Sequence, residues 1–230
     1  MRPRFVGRVG AADVLTVSNA AVGFLAVVTA TTSPRLAARI VLFGAILDAL
    51  DGIVARRRGS SDIGPHLDSL ADTATFGVAP AFIVFTVGRN AGFLESGLLD
   101  HLLWIGVPAV FVATGVLRLS LYTAYDVEDT TTEGVQTTLA STIVSASLLS
   151  GVPPATLVFW LGILAIGMLA PVTYPDLRVR DAVVMGAIQG VAVLFPAVAN
   201  RLFPRVLLIW ALGYLLFAPT LYRRDEGKRS

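Results

Sequence analysis

Eight apolar stretches, at residues 12–31, 35–57, 66–88, 99–124, 135–151, 154–172, 181–199 and 203–222, decide what this chain can fold into. A helix that crosses a bilayer needs about 20 mostly apolar residues. Within lipid, backbone polar groups must find partners inside the protein, and a helix supplies them locally. Breakers separate the stretches: Ser33-Pro34, Gly59 to Ser61, Gly92, Glu128 to Gly134, Gly151 to Pro154, Tyr174 to Asp176, and Asn200-Arg201. The fifth stretch is short and rich in Ser and Thr. Only 15% of residues are charged and 55% are hydrophobic, whereas soluble domains carry about 25% charged residues. The expectation is an all-α integral membrane protein. No internal repeat or low-complexity linker divides it, so residues 1–230 read as a single transmembrane domain.

Composition excludes several chemistries. There is no Cys, so disulfides, Cys-ligated zinc and thiol catalysis are out. A formal net charge of +2 gives no basis for a nucleic-acid partner. The basic start, Met1 to Arg8, precedes an apolar run as a signal peptide would. That run is long and opens with polar Thr16, Ser18 and Asn19, which favours a retained first helix. With the N-terminus inside and eight spans, twelve basic residues face the cytoplasm: Arg2, Arg4, Arg8, Arg56, Arg57, Arg58, Arg178, Arg180, Arg223, Arg224, Lys228 and Arg229. Arg35, Arg39, Arg89, Arg201 and Arg205 lie opposite, and Arg118 sits at the cytoplasmic end of the fourth span. This bias sets both termini in the cytoplasm of a multi-pass cell-membrane protein.

Four carboxylates stand where apolar helices should have none. The second and third stretches contain Asp48, Asp51, Asp68 and Asp72. Each charge costs about 2.5–3.5 kcal/mol at the bilayer centre, so the four together approach about 10 kcal/mol without compensation. At 100° per residue, Asp48, Asp51, Gly52 and Ala55 share about a 100° arc of one helix. Asp68 and Asp72 are one turn apart on the next, with Gly64 a turn earlier on the same face. A hairpin through Arg57, Arg58, Gly59 and Ser60 brings the two faces together. Converging carboxylates repel, and divalent cations remove the conflict. All-oxygen ligation suits hard ions such as Mg²⁺ or Mn²⁺. Gly52, Ala55 and Gly64 leave room for a ligand to approach the backbone. Pairing of each Asp with Arg56 to Arg58 is the alternative, and the joint spacing of all four argues against it.

The pattern Asp48-x₂-Asp51-Gly52-x₂-Ala55-Arg56-x₇-Gly64-x₃-Asp68-x₃-Asp72 resembles the signature of the CDP-alcohol phosphatidyltransferase family. The Arg-to-Gly spacer is one residue shorter than is usual there, a departure confined to the hairpin loop. Leu67 to Ala81 and Gly115 to Leu119 are similar to the serine-using branch, the phosphatidylserine and archaetidylserine synthases. Gly134 to Ser141 is a weaker match that lacks two prolines usual in that branch. Asp13, Thr16, Asn19 and Gly23 resemble the family's first helix. The resemblance covers residues 10–145.

It implies a six-helix catalytic core at about 10–172 with two extra transmembrane helices at about 181–222. The implied reaction is metal-dependent attack of the L-serine hydroxyl on a CDP-lipid, with CMP leaving. Asp48, Asp51 and Asp68 would be the main metal ligands of a two-cation Mg²⁺ or Mn²⁺ site. Asp72 would join the second metal and act as catalytic base. Gly52, Ala55, Arg56, Ser61 and Gly64, with Asp13, Thr16 and Asn19, would contact the CDP-lipid. The first-helix trio also reads as interfacial capping. Arg118 would bind the serine carboxylate or a phosphate, or else snorkel to the interface. The hydroxyl stripe Thr137, Thr138, Ser141, Thr142 and Ser145 would line the pocket, or serve helix packing. Gly186 to Gly190 has the small-residue spacing of a homodimer contact. His66 reads as structural and His101 as interfacial. Diacyl and archaeal ether tails both fit apolar helix surfaces. Two alternatives stand: the same chemistry on glycerol phosphate or inositol phosphate, and an ion-coupled transporter. The second lacks the internal symmetry such transporters show.

Overall fold

The computed structural model describes residues 10–58, 61–95, 97–126, 131–175 and 179–221. Helix α1 (Ala11–Ala30) is opened by Asp13, whose Oδ2 accepts the Gly10 N–H at 2.6 Å. Helix α2 follows Ser33 (Pro34–Arg58). Helix α3 (Gly64–Asp72) runs through a π turn (Thr73–Val78) into α4 (Ala79–Asn90). Helix α5 (Leu98–His101) passes likewise through a π turn (Leu102–Gly106) into α6 (Val107–Leu121). These two π turns, unlike a third at Tyr122–Asp126 after α6, share a cause. Pro80 and Pro108 stand just after them, and a wider turn accommodates a ring that lacks an N–H and would clash with the carbonyl one turn back.

Helices α7 (Thr137–Ser150), α8 (Pro154–Met168), α9 (Val179–Leu194) and α10 (Val198–Leu221) complete the bundle. All eight apolar stretches therefore carry helix. Four segments are both long and apolar enough to cross a membrane: Ala12–Ala30, Gly64–Asn90, Leu98–Tyr125 and Val198–Thr220. Side chains such as Phe24, Ile166, Ile209 and Leu216 point outward in the manner of a lipid-facing surface. The protein is a multi-pass membrane protein, and its described residues are helical apart from loops and one antiparallel strand pair, β1 (Thr131–Glu133) with β2 (Thr173–Pro175).

The boundaries around α9 and α10 differ most from the sequence expectation. The seventh helix stops at Leu194 instead of residue 199, because Pro196 cannot continue the hydrogen-bond ladder and constrains the residue before it. Ala199, Asn200 and Arg201 then form a left-handed turn, with φ of 48°, 55° and 64°. The short Ser/Thr-rich fifth stretch is the centre of the molecule. From Leu139 to Ser150 every residue of α7 is buried, among α2, α8 and α10. The last two helices are thus part of the packed body. Helix α9 is tied to α2 by Arg39 Nε donating to Val193 O (2.6 Å) and Gln189 Nε2 donating to Leu42 O (2.7 Å).

Close packing of α1 and α2 on the first π turn rests on two glycines. A Cβ on Gly23 would stand 2.9 Å from the Ala74 carbonyl carbon and from Thr75 Cα, and one on Gly44 2.6 Å from Thr75 Cγ2. Backbone cannot yield as a flexible side chain can. Gly23→Ala is therefore expected to destabilise the protein by about 1–3 kcal/mol through overpacking. Gly213→Ala, whose Cβ meets nothing within 4 Å, is the matched control. Thermal unfolding in detergent reads both, and equal midpoints would refute the close approach.

Candidate active site

The helix ends bring the acidic residues together as their faces suggest. Asp48 on α2 and Asp68 and Asp72 on α3 each offer a carboxylate oxygen, and the three oxygens lie within 4.8 Å of one another. Oxygens around one hard cation, bonded at about 2.1 Å in an octahedron, stand roughly 3.0 Å (cis) to 4.2 Å (trans) apart. The triad's limit of 4.8 Å is about 0.6 Å wider than that span, a gap that small side-chain rotations close. Asp72 is 6% exposed and its Oδ1 is buried with no hydrogen-bond partner, a costly state that a cation or a substrate hydroxyl would relieve. The residues present therefore suit a divalent metal.

Asp51 lies outside this triad. Its Oδ2 accepts the Thr16 hydroxyl at 2.8 Å, so this carboxylate faces α1. The 300° between positions 48 and 51 leaves them about 60° apart on α2, enough for one to face α3 and the other α1. Asp13 is 2% exposed and accepts from Ser61 Oγ (2.9 Å), which fastens the loop after α2 to the start of α1. Asp13, Thr16, Asp51 and Ser61 thus form a second polar group beside the triad. Gly52, Ala55 and Gly64 are half-buried, and the Gly64 N–H donates to Ser61 O at 3.0 Å. The side chain of Arg56 lies outside the described residues, as do Arg2, Arg4, Arg8, Arg178 and the basic tail.

Asn19 is placed differently from its expected partners. It lies one turn deeper than Thr16, is 1% exposed, and has its carboxamide against Gly44. Neither side-chain atom has a hydrogen-bond partner, while its carbonyl accepts the Thr75 hydroxyl at 2.8 Å. His66 is exposed, and the exposed His101 pairs through Nδ1 with Gly97 O at 2.8 Å.

Arg118 is buried in place, 7% exposed, and does not snorkel. Its charge acts on both Asp68 and Asp72. Its Nη2 donates to Thr132 Oγ1 at 3.1 Å, and its guanidinium lies 5.2 Å from the centre of the Tyr122 ring. Tyr122 was legible as the i+4 neighbour of Arg118; Thr132 was not, since only the strand pair delivers it. The hydroxyl stripe on α7 divides. Thr138 reaches the Asp48 carboxyl. Ser141 and Thr142 donate back to Thr138 O, and the Thr137 and Ser145 hydroxyls are buried without partners.

Comparison with known proteins places the whole chain. The profile of a family described as CDP-alcohol phosphatidyltransferase matches residues 9–188, further along the chain than the motifs read from sequence and into α9. The archaetidylserine synthase of Methanothermobacter thermautotrophicus is 32% identical over 143 residues, covering 60% of this chain and 58% of that protein. The CDP-diacylglycerol–serine O-phosphatidyltransferase of Saccharomyces cerevisiae is 38% identical over 120 residues, 48% of this chain and 40% of that one. Its namesake in Bacillus subtilis is 34% identical over 112 residues, 47% and 58%. The chain spans about half the length of the curated relatives it matches.

Proposed function

Because this chain belongs to the CDP-alcohol phosphatidyltransferase family, we propose that it transfers the phosphatidyl-type group of a CDP-lipid, diacyl or ether-linked, to the hydroxyl of L-serine, releasing CMP. The observation that carries this reading is the meeting of Asp48, Asp68 and Asp72 within 4.8 Å beside a buried Arg118. The serine assignment is supported by the names of the relatives and by Arg118, which offers a planar donor fork suited to a carboxylate.

The residues divide the work. The hydroxyl oxygen of the acceptor attacks the lipid-bearing phosphorus, the bond from that phosphorus to the CMP oxygen breaks, and the proton goes to Asp72. Its partnerless Oδ1 is the atom available to receive it. Asp48 and Asp68, with Asp72 and with Asp51 at the edge of the group, would hold the divalent cations, Mg²⁺ or Mn²⁺, expected as a pair. When bound, these neutralise phosphate charge. Asp13, Thr16, Ser61, Gly52, Ala55, Gly64 and Arg56 line the path of the nucleotide, with Asn19 beneath. Arg118 orients the acceptor. The acidic cluster opens toward the cytoplasm, where both termini also lie. Gly186 and Gly190, whose positions meet nothing within 4 Å among the described residues, support a homodimer through α9.

The test is direct. Purified protein is given a CDP-lipid with Mg²⁺ or Mn²⁺ and an equimolar mixture of serine, glycerol phosphate and inositol phosphate, and products are identified by mass spectrometry. A serine-headed lipid with stoichiometric CMP is the expected result. Exclusive transfer to a phosphorylated alcohol would replace the acceptor, and solute flux without CMP would replace the enzyme with a transporter.

A further inference from the structure

The last helix, α10, lies beyond the matched family region, yet it is bonded to the site through a short relay. Tyr214 on α10 donates its hydroxyl to Pro175 O at 2.5 Å, and Tyr174 on β2 donates to Leu215 O of α10 at 3.2 Å. The two rings face each other with centroids 6.2 Å apart. In the ladder, Tyr174 pairs directly with Thr132 and Pro175 with Thr131. Residues opposed in an antiparallel pair project to the same face, so Tyr174 and Thr132 both point into the bundle; they are 5% and 4% exposed. Thr132 in turn holds Arg118 Nη2 at 3.1 Å. The strap is seated firmly. Val135 N donates to Gly167 O and Gly134 N to Val172 O, both at 2.9 Å. Gly134, with φ of 74°, lies so close to Met168 O that a Cβ there would be 2.1 Å from it.

We infer that Tyr174 and Tyr214 are positioning residues for the acceptor: through the β1–β2 pair they anchor Thr132 to α10, and Thr132 fixes the direction of the Arg118 guanidinium. This rests on the reading of Arg118 as the acceptor-binding group. It gives the eighth helix a role in the site that packing alone does not require. A free arginine in this place would sample several rotamers and would be drawn onto Asp68 and Asp72. Held by Thr132 on one side and stacked on Tyr122 on the other, its guanidinium keeps one direction toward an anionic group of the incoming alcohol. The relay thus bears on acceptor binding and not on the nucleotide.

The experiment uses the full chain in detergent or nanodiscs and measures KM for serine and for CDP-lipid separately. Tyr174→Phe, Tyr214→Phe and Thr132→Val are each expected to raise the serine KM by about 3–10-fold, the size one neutral hydrogen bond supplies, with the CDP-lipid KM unchanged. Thr132→Ser keeps the hydroxyl and restores the wild-type value. In a double-mutant cycle, Tyr214→Phe adds little on top of Thr132→Val, since both cut the same relay. Thermal shift with CMP verifies folding of each variant. If the Tyr and Thr variants raise both KM values alike, or lower only the unfolding temperature, the relay is structural and the inference falls. Arg118→Lys separates this from the underlying reading. A serine KM unmoved by Arg118→Lys overturns the acceptor role itself, whereas a large rise there beside silent Tyr and Thr variants overturns only the relay.

Discussion

Asp72→Asn is expected to lower turnover by about 10²–10⁴-fold, the usual contribution of a positioned general base, while CMP binding persists. Three features single out this residue. It is 6% exposed, it lies in the triad, and its Oδ1 has no hydrogen-bond partner. An amide is nearly isosteric and keeps one oxygen for a cation, but it cannot take a proton from the acceptor. The loss should therefore appear in kcat, with the CDP-lipid KM little changed. Steady-state kinetics with a CMP-release assay decides it, and near-normal kcat in Asp72→Asn would remove the residue from the proton transfer.

The second large effect concerns metal. Asp48→Asn and Asp68→Asn are expected to weaken Mn²⁺ binding by at least about 10–100-fold, the range known even for groups one shell further out. Activity should collapse at millimolar cation and return in part at higher concentration. Stability should move the other way. Three carboxylates within 4.8 Å repel when no cation is present, so removing one charge should raise the melting temperature of the metal-free protein. The stabilisation by added cation, about 2.7 kcal/mol at a hundredfold excess over Kd, should shrink. Mn²⁺ titration followed by electron paramagnetic resonance and thermal unfolding with and without chelator reads both signs. A wild-type protein fully active in chelator, or one whose melting is blind to Mg²⁺, would overturn the cation site.

Sequence periodicity carried a large part of this site. The i, i+4 relation of Asp68 and Asp72, and the face shared by Asp48, foretold their meeting, because helical geometry is local and the hairpin between α2 and α3 is short. It could not foretell which neighbour Asp51 would take. Asp48 and Asp51 differ by about 60° on one helix, and only the packing of α1 turns that angle into a bond with Thr16. The central place of α7 was hidden for a related reason. Hydropathy ranks a stretch with Thr137, Ser141, Ser145 and Ser147 as a poor span, yet small polar side chains allow close helix approach on every side. Thr132 and Tyr174 stand 42 positions apart in short segments without strand periodicity, so the ladder joining them left no local trace. The early end of α9 at Leu194 is written in Pro196, a stronger breaker than Asn200 or Arg201.

Helix α7 is 14 residues long, about 21 Å at 1.5 Å per residue, against a hydrocarbon thickness of about 30 Å. It begins at Thr137, beside the level of Asp48, while α2 continues ten residues further to Arg58, about 15 Å of rise. Helix α2 therefore runs about 15 Å past the start of α7, and the carboxylates stand near the level of the first turn of α7. For the proposed reaction, that offset would set the reacting groups of a lipid-borne donor and a water-borne alcohol at one depth.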